Sequence, residues 1–524
     1  MLYSFKRFFV TVSYLKSKQV YYRIYYILRN KIRLKLNIKY AQAISSNTYI
    51  LDLEDSLPQY ESMREYSFTF LNKTYQYKNK IDWNFNEYGK LWTYNLTYFD
   101  YLNQKNITQK KGLRLINDFI DSITEIKDGL EPFPISLRGL NWIKFINRYK
   151  INNKKMNNSL YAQYHILVDN IEYHLLGNHL LENAFSLLFA SYYFKDENFY
   201  LTANKILKKE LNEQILSDGA HFELSPMYHQ LMLFRLLDCI NLLQRNSWKK
   251  DDLLKYLTSK ASVMLGWLER ITFLNGDIPL LNDSAEKIAP PTAELISYAR
   301  RLNIEIASIE LNDCGYRKIV KAYYECIVDI GNIGPDYIPG HAHSDTFNFL
   351  LFIRNKPFII DVGTSTYEVN ELRQIERSTI SHNTVMLNHT EQSKVWGGFR
   401  VAERAKVIRR IEKENYICAI HDGYKKRFNA LHQREFYFEN NVIKIVDTID
   451  TLYKYHAVSR LHFAKDVILK KEKNIVWANE VQIIFSTDKL KIKPYSYTKE
   501  FNQEILSNVL EISFIQKVSM EIKL

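Results

Sequence analysis

The sequence contains few of the residues that interrupt regular structure or cross-link a chain. Its 524 residues include 16 glycines and 11 prolines, which excludes a collagen-like or low-complexity chain. The 4 cysteines are scattered without Cys-x-x-Cys spacing, so we expect buried thiols rather than a disulfide framework. A membrane-spanning helix needs ~18 uninterrupted apolar residues, and even the apolar stretch 231–243 contains Arg235 and Asp238. We therefore expect a globular chain of two or three domains.

Acidic residues are missing from the first forty positions, where ten lysines and arginines occur before the first acid, Asp52. Most of the net charge of +13 therefore lies in residues 1–40, which we call the arm. Its cations alternate with apolar residues such as Tyr21, Ile24 and Leu28. This pattern is typical of a segment that lies on an anionic membrane surface, and a solvated helix docked on the body is the alternative. Because the remaining chain is nearly neutral, we expect no nucleic-acid partner.

The arm does not have the pattern of a secretory signal. Its apolar run at residues 8–15 is short, is interrupted by Thr11 and Ser13, and is followed at once by Lys16. On the sequence pattern alone we expect a cytoplasmic or membrane-peripheral protein.

The spacing of apolar residues changes along the chain. From 101 to 305 they recur at intervals of three and four, which predicts a series of helical hairpins. From 306 to 524 they alternate with polar residues, as in 346–352 and 442–447, which predicts strands. Residues 41–100 form a lead-in in which we expect short strands. A helical part followed by a β part predicts two packed domains, with a crevice between them that is a favoured place for a ligand.

The first polar cluster interrupts an apolar helical pattern at residues 177–183. His179 and Glu182 are three residues apart, so on one helix they share a face and can hydrogen-bond, with Asn178 adjoining them. A paired carboxylate holds the imidazole in one tautomer, as acid–base or carboxylate-binding chemistry requires. A polar pair satisfied locally inside a helix bundle is an equally open interpretation.

A second candidate is Tyr228, which follows Pro226 at a predicted helix start. A phenol at a helix start can project into a cleft rather than into a core. The signal is weak alone, because the chain contains 38 tyrosines.

The third cluster is residues 340–345, which we expect to enter a strand. Two-residue alternation would place His341, His343 and Asp345 on the same side, a geometry that suits metal ligation. Asp361 and His382 follow in neighbouring predicted strands, and two histidines with one carboxylate are a common zinc ligand set. A histidine network at a domain boundary is the alternative.

In this order the motifs resemble the heparinase II/III family of polysaccharide lyases, including its alginate-lyase relatives. The resemblance spans most of residues 80–400 and includes the lead-in stretches 91–96 and 137–142. It implies an incomplete α/α toroid followed by an antiparallel β-sandwich. The arm does not belong to the family pattern. The resemblance favours the periplasm or cell envelope as the location of the protein, in contrast to the expectation from the arm's sequence.

The resemblance implies a role for each matched residue. Asn178 and His179 match the residues that contact and neutralise the substrate carboxylate, and Glu182 matches the acid that accompanies this histidine. Tyr228 matches the phenol that acts as general acid and, for some linkages, as base. From the β part, His341 matches a histidine facing the cleft, and Tyr367 matches a second phenol.

The resemblance also implies a zinc site formed by His343, Asp361 and His382, with a chiefly structural role. Together these residues suit eliminative cleavage of an acidic, uronate-containing polysaccharide, which begins with removal of the C5 proton beside a carboxylate. One alternative is a uronate C5-epimerase on the same fold, which returns the proton instead of expelling a leaving group. Another is a non-catalytic glycan-binding protein of cell-envelope polysaccharide assembly.

Overall fold

The computed structural model describes residues 2–40, 43–45, 47–249 and 252–524, with side chains from residue 6 onward. Helices dominate its first three hundred residues. The α-helices are α1 (Leu2–Ser13), α2 (Ser17–Lys35), α3 (Lys90–Tyr98), α4 (Gln109–Ser122), α5 (Pro132–Arg148), α6 (Lys154–Asp169), α7 (Gly177–Phe194), α8 (Glu197–Gln214), α9 (Pro226–Arg245), α10 (Leu253–Ile271), α11 (Thr292–Arg301), α12 (Glu371–Glu376) and α13 (Lys425–Phe428).

Strands occur in the lead-in and then throughout the second part of the chain. They are β1 (Met63–Arg64), β2 (Ser67–Phe70), β3 (Lys73–Gln76), β4 (Tyr316–Val320), β5 (Tyr324–Asp329), β6 (Phe349–Ile353), β7 (Lys356–Ile359), β8 (Val385–Leu387), β9 (Val395–Trp396), β10 (Arg400–Val401), β11 (Val407–Lys413), β12 (Tyr416–His421), β13 (Leu431–Phe438), β14 (Val442–Asp450), β15 (Ala457–His462), β16 (Leu469–Glu472), β17 (Ile475–Ala478), β18 (Val481–Phe485), β19 (Leu490–Tyr497), β20 (Ile505–Phe514) and β21 (Lys517–Lys523). The predicted change from helices to strands is confirmed.

The helical part is a set of antiparallel hairpins built around α7. This helix packs on α5, α8 and α9, and α9 packs in turn on α10 and α11. Nearly every residue of α7 is buried, because a helix with neighbours on several sides is apolar all round rather than along one stripe. The start of α9 is fixed by Ser225, whose hydroxyl accepts a hydrogen bond from the Tyr228 backbone N–H at 3.2 Å, and by Pro226 in the first turn.

The β part consists of antiparallel sheets that share one core. An eight-stranded sheet has the order β11-β12-β13-β14-β21-β18-β17-β16, and two four-stranded sheets have the orders β19-β20-β15-β8 and β4-β5-β6-β7. Apolar residues from all three sheets form a common buried cluster, as expected when sheets pack face to face. Tyr316, Ile327, Leu350 and Phe352 of β4, β5 and β6 belong instead to the buried cluster of the helical part, so this sheet packs against the helices.

One strand prediction was wrong at its start. The predicted strand 346–352 begins at Phe349, and residues 341–345 form a loop. The loop's backbone is paired elsewhere: the His343 N–H donates to the Asn282 side chain, and the Ser344 N–H donates to the Arg377 carbonyl oxygen. His341, His343 and Asp345 therefore do not share one face of a strand.

The arm forms two helices that dock on the body. Tyr26 donates to the Ile171 carbonyl oxygen at 2.7 Å, and Arg33 pairs with Asp169. No helix among the described residues is long and apolar enough to cross a membrane. The cysteines are free and buried, as expected from their spacing.

Candidate active site

A cleft of about 730 Å³ lies between the helical part and loops of the β part. Asn178, His179 and Tyr228 line it from the helices, and His341 and Tyr367 line it from the β part. Five of the six residues predicted as catalytic therefore share one cavity. The sixth, Glu182, is buried behind it.

Asn178 and His179 occupy the first turn of α7, which begins at the cleft. The positive end of the helix dipole at such a start favours a bound anion. The chain enters the helix with Leu176 and Gly177 at positive φ, 67° and 59°. A side chain at Gly177 would approach Glu223 Oε1 to 2.7 Å and Ile338 Cδ1 to 2.8 Å, so glycine is needed there for space as well as conformation.

Glu223 fixes the orientation of Asn178. Its buried carboxylate accepts hydrogen bonds from the Asn178 side-chain amide at 2.9 Å and from the Asn178 backbone N–H at 3.3 Å. The same amide nitrogen lies 3.4 Å from His341 Nε2, which is 3.7 Å from Glu223 Oε2. The amide of the helical part and the imidazole of the β part therefore meet across the cleft.

The partner predicted for His179 was wrong. His179 Nδ1 lies 3.1 Å from Glu172 Oε1, whereas Glu182 Oε1 pairs with Arg235 Nε at 3.3 Å. The two side chains diverge because His179 faces the cleft, while Glu182 points into the core between α7 and α9. Burial alone would lower the pKa of His179, but the Glu172 carboxylate raises it above the usual value. Glu172 precedes the helix, so no helical spacing could identify it.

Tyr228 lies against His341 and Tyr367. Its ring stacks on the His341 imidazole with centroids 3.9 Å apart, and its hydroxyl lies 3.2 Å from the Tyr367 hydroxyl. Burial raises the pKa of Tyr228 above that of an ordinary phenol, and it does the same for Tyr367. Both groups are therefore protonated near neutral pH and suited to donate a proton.

Asp283 joins the cleft to a buried histidine cluster. One carboxylate oxygen lies 2.9 Å from His341 Nδ1 and the other lies 2.9 Å from His343 Nε2. Arg373 binds both oxygens. Burial would raise the pKa of Asp283, but the guanidinium and the histidine contacts hold it well below its usual range. The sequence offered no spacing signal for Asp283, because its partners are far away along the chain.

His343, Asp361 and His382 come together although they lie on separate segments. Each is buried and offers a ligand atom, and these atoms lie within 4.8 Å of one another. His382 Nδ1 is 2.8 Å from Asp361 Oδ2. Within the described residues, His343 Nδ1 and His382 Nε2 are buried without a hydrogen-bond partner. Asp345, expected on the same strand face, is buried beside this cluster.

Comparison with known proteins identifies the family. Residues 141–299 match the Heparinase II/III N-terminus and residues 305–521 match the Heparinase II/III-like, C-terminal domain. The chain belongs to the heparinase II/III family, as its motifs predicted.

The curated relatives are heparin-sulfate lyases. That of Bacteroides stercoris is 24% identical over 304 residues, covering 52% of this chain and 44% of the relative. That of Pedobacter heparinus is 25% identical over 336 residues, covering 58% of this chain and 48% of the relative. The chain thus spans about half the length of the curated relatives it matches.

Solved structures share the order of a helical part and a β part at low identity. The structure of heparinase III has a TM-score of 0.66 and 17% identity, covering 86% of this chain and 80% of that one. The structure of a mutant heparan sulfate lyase from Pedobacter heparinus has a TM-score of 0.59 and 17% identity, covering 87% of this chain and 81% of that one. The likeness confirms the predicted helical toroid followed by an antiparallel β-sandwich.

We expect the substitution Glu172→Gln to lower the pKa of His179, because it removes the negative charge that favours the imidazolium. Titration of the histidine side-chain signals by NMR measures this change. Glu197→Gln, an exposed carboxylate on α8 paired with Lys249, is the matched control and should leave His179 unchanged. An identical His179 titration in Glu172→Gln and the native protein would contradict this account.

Proposed function

We propose that this protein cleaves an acidic, uronate-containing polysaccharide by β-elimination. The observation that carries the proposal is the convergence of Asn178, His179, Tyr228 and His341 in one cleft. The names of the curated relatives, heparin-sulfate lyases, support the same reaction class. A hydrolase is less well supported, because hydrolysis of a glycosidic bond uses paired carboxylates flanking the bond.

The first task of the site is to neutralise the sugar carboxylate. A C5 proton is only weakly acidic while the neighbouring carboxylate keeps its full charge. Asn178 and His179 donate to that carboxylate from the first turn of α7, where the helix dipole adds to the effect. Fixed donors at a position of developing charge are commonly worth about 2.7–4 kcal/mol each.

The second task is to move two protons. His341 takes the C5 proton, the C4–O bond breaks, the electron pair of the C5–H bond forms the C4=C5 double bond, and Tyr228 protonates the departing oxygen. Tyr228 suits the acid role because its raised pKa keeps the phenol protonated. Asp283 holds His341 through Nδ1, leaving Nε2 to act in the cleft. Tyr367 shares its hydrogen bond with Tyr228 and supports the same proton transfer.

We expect Tyr228→Phe and His341→Ala each to reduce the rate of cleavage by about 10²–10⁴, the usual value of one general acid or base. The assay follows the ultraviolet absorbance of the unsaturated uronate formed from a panel of uronate polymers. Tyr323→Phe, at an exposed tyrosine away from the cleft, is the matched control and should retain full activity.

Two results would overturn this assignment. Undiminished cleavage in both variants would show that neither residue carries the reaction. Incorporation of solvent deuterium at C5 without chain shortening would identify a C5-epimerase instead.

We also propose that His343, Asp361 and His382 hold a structural Zn²⁺. Two histidines and a carboxylate are a common zinc ligand set, and the buried nitrogens His343 Nδ1 and His382 Nε2 have no partner within the described residues. When bound, the ion would cross-link three loops of the β part. Asp283 orients His343 through its other nitrogen, as partners of metal ligands do.

Metal analysis of the purified protein should find about one zinc per chain, the number that this single ligand set can hold. His382→Ala should lose the metal and lower the thermal unfolding temperature, whereas His389→Ala, an exposed histidine on a nearby loop, should change neither. Protein that is metal-free after expression with zinc, and equally stable with a chelator, would contradict the site.

We further propose that the outward face of the arm contacts an anionic membrane. Ile24, Leu28 and Ile32 lie one turn apart on α2 and are each more than half exposed. Lysines such as Lys31 and Lys35 adjoin this stripe. Exposed apolar side chains with flanking cations are typical of an interfacial helix.

The protein should float with phosphatidylglycerol-containing vesicles and not with phosphatidylcholine vesicles, because the cations require anionic lipid. Salt should weaken binding by screening, and Ile24→Ser with Leu28→Ser should reduce it. Leu452→Ser, at an exposed leucine in the β part, is the control. Concentration-dependent dimers without vesicle binding would assign the face to self-association instead.

A further inference from the structure

The arm contributes side chains to the cleft itself. Thr11, Leu15, Gln19 and Arg23 line the cavity that contains Asn178 and His341. The inner face of the arm is thus part of the site, while its apolar stripe faces outward. The family models match residues 141–299 and 305–521, and the arm lies outside both ranges.

On the helical side, the arm binds the loop that leads into α7. The Gln19 side-chain amide donates to the Leu175 carbonyl oxygen at 3.1 Å, and Tyr26 donates to that of Ile171. Lys16 pairs with Glu213 at the end of α8. Ile171 and Leu175 belong to the loop that precedes Asn178, the first donor of the site.

On the β side, the arm binds the loops on the opposite edge of the cleft. The Trp396 indole N–H donates to the Thr11 hydroxyl at 3.2 Å, and the Arg404 guanidinium lies over the Tyr14 ring at 3.8 Å. Gln19 also donates to the Tyr337 carbonyl oxygen at 3.3 Å. A single side chain, Gln19, is therefore bonded to both sides and is only 4% exposed.

We propose that the arm is a fixed wall of the substrate cleft and restricts cleavage to the ends of polysaccharide chains. A segment bonded to both edges of a cleft obstructs the sideways entry of an internal stretch of polymer. A chain end needs no such passage and enters from the open side. This inference rests on the proposed lyase activity and assigns it an exolytic mode.

The test compares viscosity with absorbance while a long uronate polymer is cleaved. Exolytic cleavage by the native protein releases short oligosaccharides from the start, and viscosity falls slowly for each double bond formed. The triple variant Thr11→Ala, Lys16→Ala, Gln19→Ala loosens the wall and should shift the early products to longer oligosaccharides. Val20→Ala, which alters an exposed residue on the outward side of the same helix, should keep the native product pattern.

The outcomes separate the two proposals. Long oligosaccharides and an early fall in viscosity with the native protein would overturn the wall while leaving the lyase intact. Absence of any unsaturated product from every polymer would overturn the lyase and the exolytic mode with it.

Hydrogen exchange gives a second measurement that does not depend on turnover. In the Tyr228→Phe variant, a uronate oligosaccharide should slow exchange in residues 11–23 as well as in residues 174–180. Protection of the second segment without the first would also overturn the wall.

Discussion

The arrangement of the cleft depends on one buried carboxylate, that of Asp283. It binds His341 at the cleft, His343 in the metal-ligand cluster and Arg373 from α12. A carboxylate that is fully buried is stable as an anion only when its charge is compensated, and the Arg373 guanidinium is the first of the groups that lower the pKa of Asp283, followed by His341 and His343. Asp283 therefore links three features of the site. It positions the proposed base, it orders the histidine cluster, and it ties the loop that carries His343 to α12.

The residues that could be predicted from the sequence are those with local signals. Asn178 and His179 interrupt an apolar helix, Tyr228 follows a proline at a helix start, and His341 lies in a dense polar motif. Each signal involves residues only a few positions apart, and the structure brings all four residues into one cavity. The helical and β parts were predictable for a similar reason, since the apolar periods of helices and strands differ.

The partners of these residues could not be predicted, because they are set by tertiary packing. Helical spacing paired His179 with Glu182, but Glu182 is bound by Arg235 of α9. The loop before α7 supplies Glu172 instead. Asp283 and His343 are similarly distant along the chain, and the alternation that seemed to place His343 on a strand fails because its backbone N–H is bound by Asn282. Docking of the arm on the body was one of the two interpretations of its sequence, but its partners, such as the carbonyl oxygens of Ile171 and Leu175, could not be read from the arm alone.

The acids near the donors explain how the site can favour an anion without being strongly cationic. Glu172 raises the pKa of His179 and so favours the charged imidazolium. Glu223 accepts one hydrogen bond from the Asn178 amide. A side-chain amide has two N–H groups, and the Asn178 amide nitrogen also lies 3.4 Å from His341 Nε2 at the cleft, so the bond to Glu223 directs the amide toward a ligand. Glu223 thus orients the Asn178 amide, and Glu172 favours the charged form of His179. A sugar carboxylate that enters the cleft meets donors whose direction is already fixed. Such preorganisation is what makes hydrogen bonds effective in stabilising developing charge.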